Sequence, residues 1–248
     1  MTRYDITING RNVRYYEGGG GRPLLLLHGA GATARLWHRQ SGPLSGRFRV
    51  IAPDLPGFGG SARSPEIKSV RDYARFLSQF LKVLKIDRVS VLGSSMGGWA
   101  GLWLAADYPR LVERLALVSP AGVYRPDAMP MTVDEVLREI EKYYVSVSGG
   151  ALSAEASDEL SMAVDTIKSM HEAGGFIPDV EPELTEINAP TLIIWGSEDR
   201  VIPPSYAEIF AGAIPGARLR IMEGAGHLPY VERPEEFNGI VIEFFERV

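Results

Sequence analysis

Cysteine is absent from the 248-residue sequence. Disulfides, thiolate metal ligands and a cysteine nucleophile are therefore excluded. Histidine is scarce, with 4 residues at positions 28, 38, 171 and 227, so few side chains can serve as a base near neutral pH. Positive charge is in deficit: 26 Lys and Arg face 31 Asp and Glu, a net charge of −5. That balance argues against a nucleic-acid partner. No apolar run approaches the roughly 20 residues that span a bilayer, so no membrane partner is expected. The opening residues, Met1-Thr2-Arg3-Tyr4-Asp5-Ile6, lack the apolar core of a signal peptide. A soluble, cytoplasmic protein is the expectation. Internal repeats and low-complexity tracts are lacking too.

What is present reads as a globular α/β chain. Hydrophobic residues make up 45% and charged residues 23%. A chain of this length buries roughly 70–75% of its unfolded surface without a disulfide or metal staple. The segments 4–8 and 13–17 flank Asn9-Gly10, a hairpin turn signal. Apolar runs of strand length follow at 24–27, 50–52, 89–92, 115–118, 191–195 and 218–222. Continuous runs of this kind suggest strands buried on both faces of a parallel sheet. Between them, Val70, Tyr73, Leu77, Phe80, Leu81 and Leu84 recur at helical spacing. Helices are also expected over 97–107 and 234–247. Strand–helix alternation after a hairpin predicts a mostly parallel central sheet with flanking helices. Residues 121–185 break that rhythm. They show no strand, and helices are expected over 135–144 and 154–171. A segment of about 65 residues exceeds an ordinary βα connection, so it reads as a helical lid. The expected organisation is a core of 1–120 and 186–248 with a lid of 121–185.

Chemistry concentrates where runs end. Gly93-Ser94-Ser95-Met96-Gly97 follows a strand and precedes a helix, the context of a serine nucleophile elbow. A serine hydroxyl needs a base, and the base needs an orienting carboxylate. His227 lies in a glycine-rich loop directly after the 218–222 run. Asp199 lies after the 191–195 run, with Glu198 beside it as the alternative acid. The expected catalytic residues are therefore Ser95, Asp199 and His227, all just past strand ends. Acyl transfer also needs donors for an oxyanion. The backbone N–H groups of Met96 and Ala30 are the candidates. His28 is expected to bond loop backbone, with a direct substrate contact as the alternative. Trp99, one helical turn past Ser95, is a candidate pocket wall, with core packing as the alternative. His38 reads as a surface or packing residue, and His171 as a solvent-facing residue or a substrate contact. Met129, Met131, Tyr143, Tyr144, Met162, Met170 and Phe176 supply the lid with apolar surface.

Five segments in order, His28-Gly29-Ala30-Gly31, the stretch 54–61, the stretch 93–98, the stretch 196–203 and Gly226-His227, resemble the α/β-hydrolase superfamily along nearly the whole chain. The resemblance implies the α/β-hydrolase fold, with Ser95 as nucleophile, Asp199 as acid, His227 as base, and 121–185 as the variable cap. It implies that 54–61 is a structural turn near the oxyanion loop. Serine at the elbow argues against the aspartate-dependent dehalogenase and epoxide hydrolase branches. The expected activity is a carboxylesterase on small to medium acyl esters, with no cofactor and no metal, as a monomer or homodimer. The rival enzyme reading is carbon–carbon hydrolysis of meta-cleavage products. Against it, the loop Ala32-Thr33-Ala34-Arg35-Leu36-Trp37 lacks the Pro and Asn usual in that branch. The rival of another class is a ligand receptor with slow hydrolysis.

Overall fold

The computed structural model describes residues 1–125, 132–147, 152–177 and 180–247. Its strands are β1 (Thr2–Ile8), β2 (Arg11–Gly18), β3 (Pro23–Leu27), β4 (Arg49–Pro53), β5 (Val89–Ser94), β6 (Val112–Val118), β7 (Thr191–Gly196) and β8 (Arg218–Met222). They form one sheet in the order β1-β2-β4-β3-β5-β6-β7-β8. β1 and β2 form the expected hairpin, and β2 meets β4 antiparallel. From β4 to β8 every pairing is parallel. This is the α/β-hydrolase fold.

The unbroken apolar runs follow from helices on both faces. Alternate residues of a strand point to opposite sides. In β3, Leu25 and Leu27 enter one core with Val91, Leu115 and Ile193. Leu24 and Leu26 enter the other with Val50, Leu92, Ala116 and Ile194. Helices α2 (Val70–Val83), α3 (Met96–Asp107) and α6 (Ser205–Ala213) cover the first face. Helices α1 (His38–Ser45) and α8 (Pro234–Glu246) cover the second. β8 departs from the buried-strand reading. It is the sheet edge, and Arg218, Leu219 and Arg220 are exposed. α2 carries the amphipathic stripe read from sequence and starts in a capping box between Ser69 and Asp72.

Between β6 and β7 lie α4 (Val133–Val147) and α5 (Ala154–Glu172), packed on each other. Both helices were expected. Three contacts tie them to loops at the carboxyl edge of the sheet. Ile140 of α4 sits directly on Gly31, where a β-carbon would come within 2.3 Å of it. The Thr166 hydroxyl of α5 lies 3.2 Å from the Gly57 carbonyl and 2.7 Å from the Met162 carbonyl of its own helix, and the side chain fills the space where a Gly57 β-carbon would sit. Glu159 of α5 is buried and accepts from the Arg35 guanidinium at 2.5 Å. Burial holds the Glu159 carboxyl above the ordinary carboxylate range despite Arg35. This pair therefore fixes geometry more than it adds stability.

The tightest join in the fold is Gly97. A β-carbon there would lie 2.4 Å from the carbonyl oxygens of both Leu27 and His28, which are backbone atoms and cannot swing aside. Gly97→Ala is expected to lower unfolding free energy by about 1–3 kcal/mol. Gly212, exposed in α6 with nothing within 4 Å of its β-carbon position, is the control. Gly212→Ala should be neutral or raise stability by up to ~1 kcal/mol. Urea denaturation of both variants checks the pair, and equal effects would contradict the packing argument.

Candidate active site

Each element of the site sits at the carboxyl end of a strand. Ser95 is the hinge between β5 and α3, with φ 52° and ψ −119°. A non-glycine residue in that region is strained. The strain is held by backbone bonds. The Ser95 N–H donates to the Val118 carbonyl at 2.9 Å, and its carbonyl accepts from Trp99 at 3.0 Å and Ala121 at 3.2 Å. The turn therefore projects the Ser95 side chain out of the sheet, beside Gly29. A β-carbon on Gly29 would lie 3.2 Å from that of Ser95.

Asp199 follows β7 and its side chain is fully buried. One carboxylate oxygen accepts the N–H groups of Val201 at 2.8 Å and Ile202 at 3.0 Å. The other lies 2.8 Å from Nδ1 of His227, in the loop after β8. A carboxylate only accepts, so Nδ1 carries the proton and Nε2 of the neutral ring is left as the acceptor. Glu198, the alternative acid, is exposed and its backbone N–H donates to Ala225. The structure thus joins His227 to Asp199 and not to Glu198.

Ser95 and His227 line one cleft of about 210 Å³ with Ala30, Leu36, Val136 and Ile140. Gly29, Gly31, Ala32, Val201, Leu228 and Tyr230 complete the described lining. The lining residues are apolar apart from Ser95, His227 and Tyr230. Val136 and Ile140, one turn apart on α4, were not singled out in sequence. The signal was available as apolar positions at helical spacing, but nothing in the sequence shows which helix face meets Gly31. Met96 is the first residue of α3, so its N–H has no intrahelical acceptor. Ala30 belongs to the loop after β3. That loop is fixed by Asp54, whose carboxylate accepts from Ala34 at 2.7 Å and Gly60 at 2.9 Å.

Two expected residues lie outside the cleft. His28 is fully buried, with Nδ1 at 2.8 Å from the Gly29 carbonyl and Nε2 accepting the Leu55 N–H at 2.9 Å. Both nitrogens serve backbone, so the alternative of a direct substrate contact is corrected. Burial pushes its pKa down from 6.5, and the nearby Asp54 opposes only in part. Trp99 is buried beneath the edge and meets Phe176 edge-on at 5.9 Å, a packing position. His38 begins α1 and His171 lies in the last turn of α5; both are exposed and outside the described cleft lining. Met170 is buried in the core and Phe176 packs against it, Met162 is partly buried, and none of the three lines the described cleft. Met129 and Met131 lie outside the described residues, as do the side chains of Tyr143 and Tyr144.

A serine strained at a strand–helix turn, sharing a cleft with a carboxylate-bonded imidazole at the edge of a doubly covered parallel sheet, is the arrangement of a hydrolase-type site. A family profile described as the alpha/beta hydrolase family matches residues 24–240. The chain belongs to that family. It is 31% identical over 263 residues to the 2-hydroxy-6-oxo-6-(2'-aminophenyl)hexa-2,4-dienoic acid hydrolase of Metapseudomonas resinovorans, covering 98% of this chain and 90% of the relative. A solved hydrolase from Pseudomonas aeruginosa superposes with a TM-score of 0.80 at 28% identity, covering 99% and 98% of the two chains. A bacterial membrane phospholipase A superposes with a TM-score of 0.81 at 32% identity, covering 99% of this chain and 86% of that one. Among the described residues no helix is long and apolar enough to cross a membrane.

His28 gives the site a pH signature. Its pKa in the fold lies below 6.5, so as pH falls through 6.5 the unfolded chain takes up a proton that the native chain refuses. Stability is therefore complete above 6.5 and declines below it. His28→Leu should flatten that decline and lower stability at pH 7, because the Leu55 N–H loses its acceptor. Urea unfolding from pH 5 to 7.5 checks this; an equal slope in wild type and variant would count against it.

Proposed function

We propose that the protein is a serine carboxylic ester hydrolase acting on small to medium, uncharged acyl groups. The observation that carries this is the Asp199–His227 pair, with His227 lining the same mostly apolar cleft as Ser95. His227 Nε2 takes the Ser95 hydroxyl proton as Oγ attacks the ester carbonyl. The Ala30 and Met96 amides hold the resulting oxyanion. The imidazolium gives its proton to the leaving alcohol, and the acyl group stays on Ser95. Water, deprotonated by His227, then releases the acid. Asp199 holds the ring tautomer and stabilises its cation throughout. The helices between β6 and β7 act as the cap, with Val136 and Ile140 as its ceiling. No metal or organic cofactor enters this sequence.

A second reading is favoured by the Metapseudomonas relative, whose name specifies a dienoic acid. Hydrolysis of such a substrate breaks a carbon–carbon bond. Its carboxylate would need a partner, and the described cleft lining holds no Lys, Arg, Asn or Gln. Leaving a charge unpaired against an apolar wall costs at least several kcal/mol. That supports the ester of an uncharged acid.

The test is turnover of p-nitrophenyl esters from acetate to laurate, with a meta-cleavage dienol-ketone acid alongside. Ser95→Ala should lower ester kcat by about 10⁶-fold and Asp199→Asn by about 10⁴-fold. Inert esters with rapid dienol-ketone cleavage would move the assignment to carbon–carbon hydrolysis. Ile140→Ala should shift the acyl-length optimum upward, each newly accommodated methylene adding roughly 0.8 kcal/mol, or about fourfold in kcat/KM. An unchanged profile would remove Ile140 from the ceiling.

A further inference from the structure

The loop that carries His227 is Glu223-Gly224-Ala225-Gly226-His227-Leu228, a sequence with little intrinsic stiffness. Asp199 holds the ring by one bond only. Other contacts hold the loop's backbone. The Gly224 N–H donates to the Ser197 hydroxyl at 2.8 Å, and the Ala225 carbonyl accepts from Glu198 at 2.9 Å. These bonds stop short of the histidine. The next two come from the short helix α7 (Pro229–Glu232). One oxygen of the Glu232 carboxylate accepts the Gly226 N–H at 2.7 Å. The other accepts the Leu228 N–H at 3.2 Å. Gly226 fits this contact because a β-carbon there would lie 3.1 Å from the carboxylate.

We propose that Glu232 is a positioning residue for His227: its carboxylate grips the backbone amide on each side of the histidine and so aims the imidazole at Ser95. This rests on His227 being the base. A carboxylate suits the task because it presents only acceptors, enough for two N–H donors at once. Glutamine offers one acceptor and turns an NH₂ toward the second amide. With the clamp gone, the Gly226 and Leu228 amides lose their acceptor, and the backbone beside the histidine is held only through Ala225 and the Leu228 carbonyl, so the segment between them gains freedom. Geometry at a general base matters steeply, since a misplacement of about 1 Å costs up to about a hundredfold in rate.

The experiment compares wild type, Glu232→Gln, Glu232→Ala and Ser95→Ala by steady-state ester kinetics, thermal unfolding and proton NMR of the Asp199–His227 hydrogen bond. Expected in both Glu232 variants is a fall in kcat of about tenfold to a hundredfold, with KM within about twofold of wild type. The downfield Nδ1 proton should broaden through exchange with solvent in the same variants. A merely structural role would lower the melting temperature but leave that resonance sharp. Wild-type kcat in Glu232→Ala overturns the proposal, as does a lowered kcat with an unchanged resonance. Should Glu232→Ala fail to fold, the Glu232→Gln protein carries both readouts. Full turnover in Ser95→Ala would overturn the reaction assignment instead, and the NMR comparison would still decide the clamp.

Discussion

The site depends on one strained residue. Ser95 is held at φ 52°, a conformation that costs a non-glycine residue about 1–3 kcal/mol. Three backbone hydrogen bonds to Val118, Trp99 and Ala121 over-determine it. The strain also requires α3 to lie almost on top of the sheet, which the lack of a side chain at Gly97 permits. Relaxing the turn would withdraw the hydroxyl into the strand and separate the Met96 amide from the loop after β3. The rest of the carboxyl edge is arranged around that fixed point.

The edge is built from loops with little regular structure, and each is secured by a buried polar group serving backbone. Asp54 fixes the loop after β3 by accepting from Ala34, and His28 joins Gly29 to Leu55. Asp199 spends one oxygen on its own loop before offering the other to His227. Arg35 extends this fastening to α5 through buried Glu159. A cleft whose walls come from separate loops and the inserted helix α4 can thus keep a defined shape. In the proposed reaction its apolar ceiling would select by size, and the Ala30 and Met96 amides would meet the developing negative charge.

Much of this was legible in sequence because strand ends punctuate it. Ser95, Asp199 and His227 each follow an apolar run closely, so their convergence on one edge follows from a parallel sheet. The hairpin at Asn9-Gly10, the long α2 and both helices of the insertion were readable from period and turn chemistry. α6 and α7 were not, being 9 and 4 residues long and opened by prolines, too short for a period to emerge. β8 was read with its buried neighbours but is the exposed edge, and the alternating Arg218 and Arg220 were the signal that set it apart. Trp99 looked equally suited to wall or core, and the Phe176 contact that buries it spans the insertion. Glu232 gave no signal, because its role lies in which two amides its oxygens reach.

The central claim, that the strained Ser95 hydroxyl is a nucleophile activated by His227, is tested most directly by covalent capture. The protein would be incubated with diethyl p-nitrophenyl phosphate, digested, and its peptides weighed by mass spectrometry. Attack of Ser95 Oγ on phosphorus expels p-nitrophenolate and leaves a diethylphosphoryl ester that cannot imitate the normal deacylation. The account predicts that group on the peptide containing Ser95, and its loss in His227→Ala. An unlabelled Ser95 peptide from folded protein, or label confined to another serine, would contradict it.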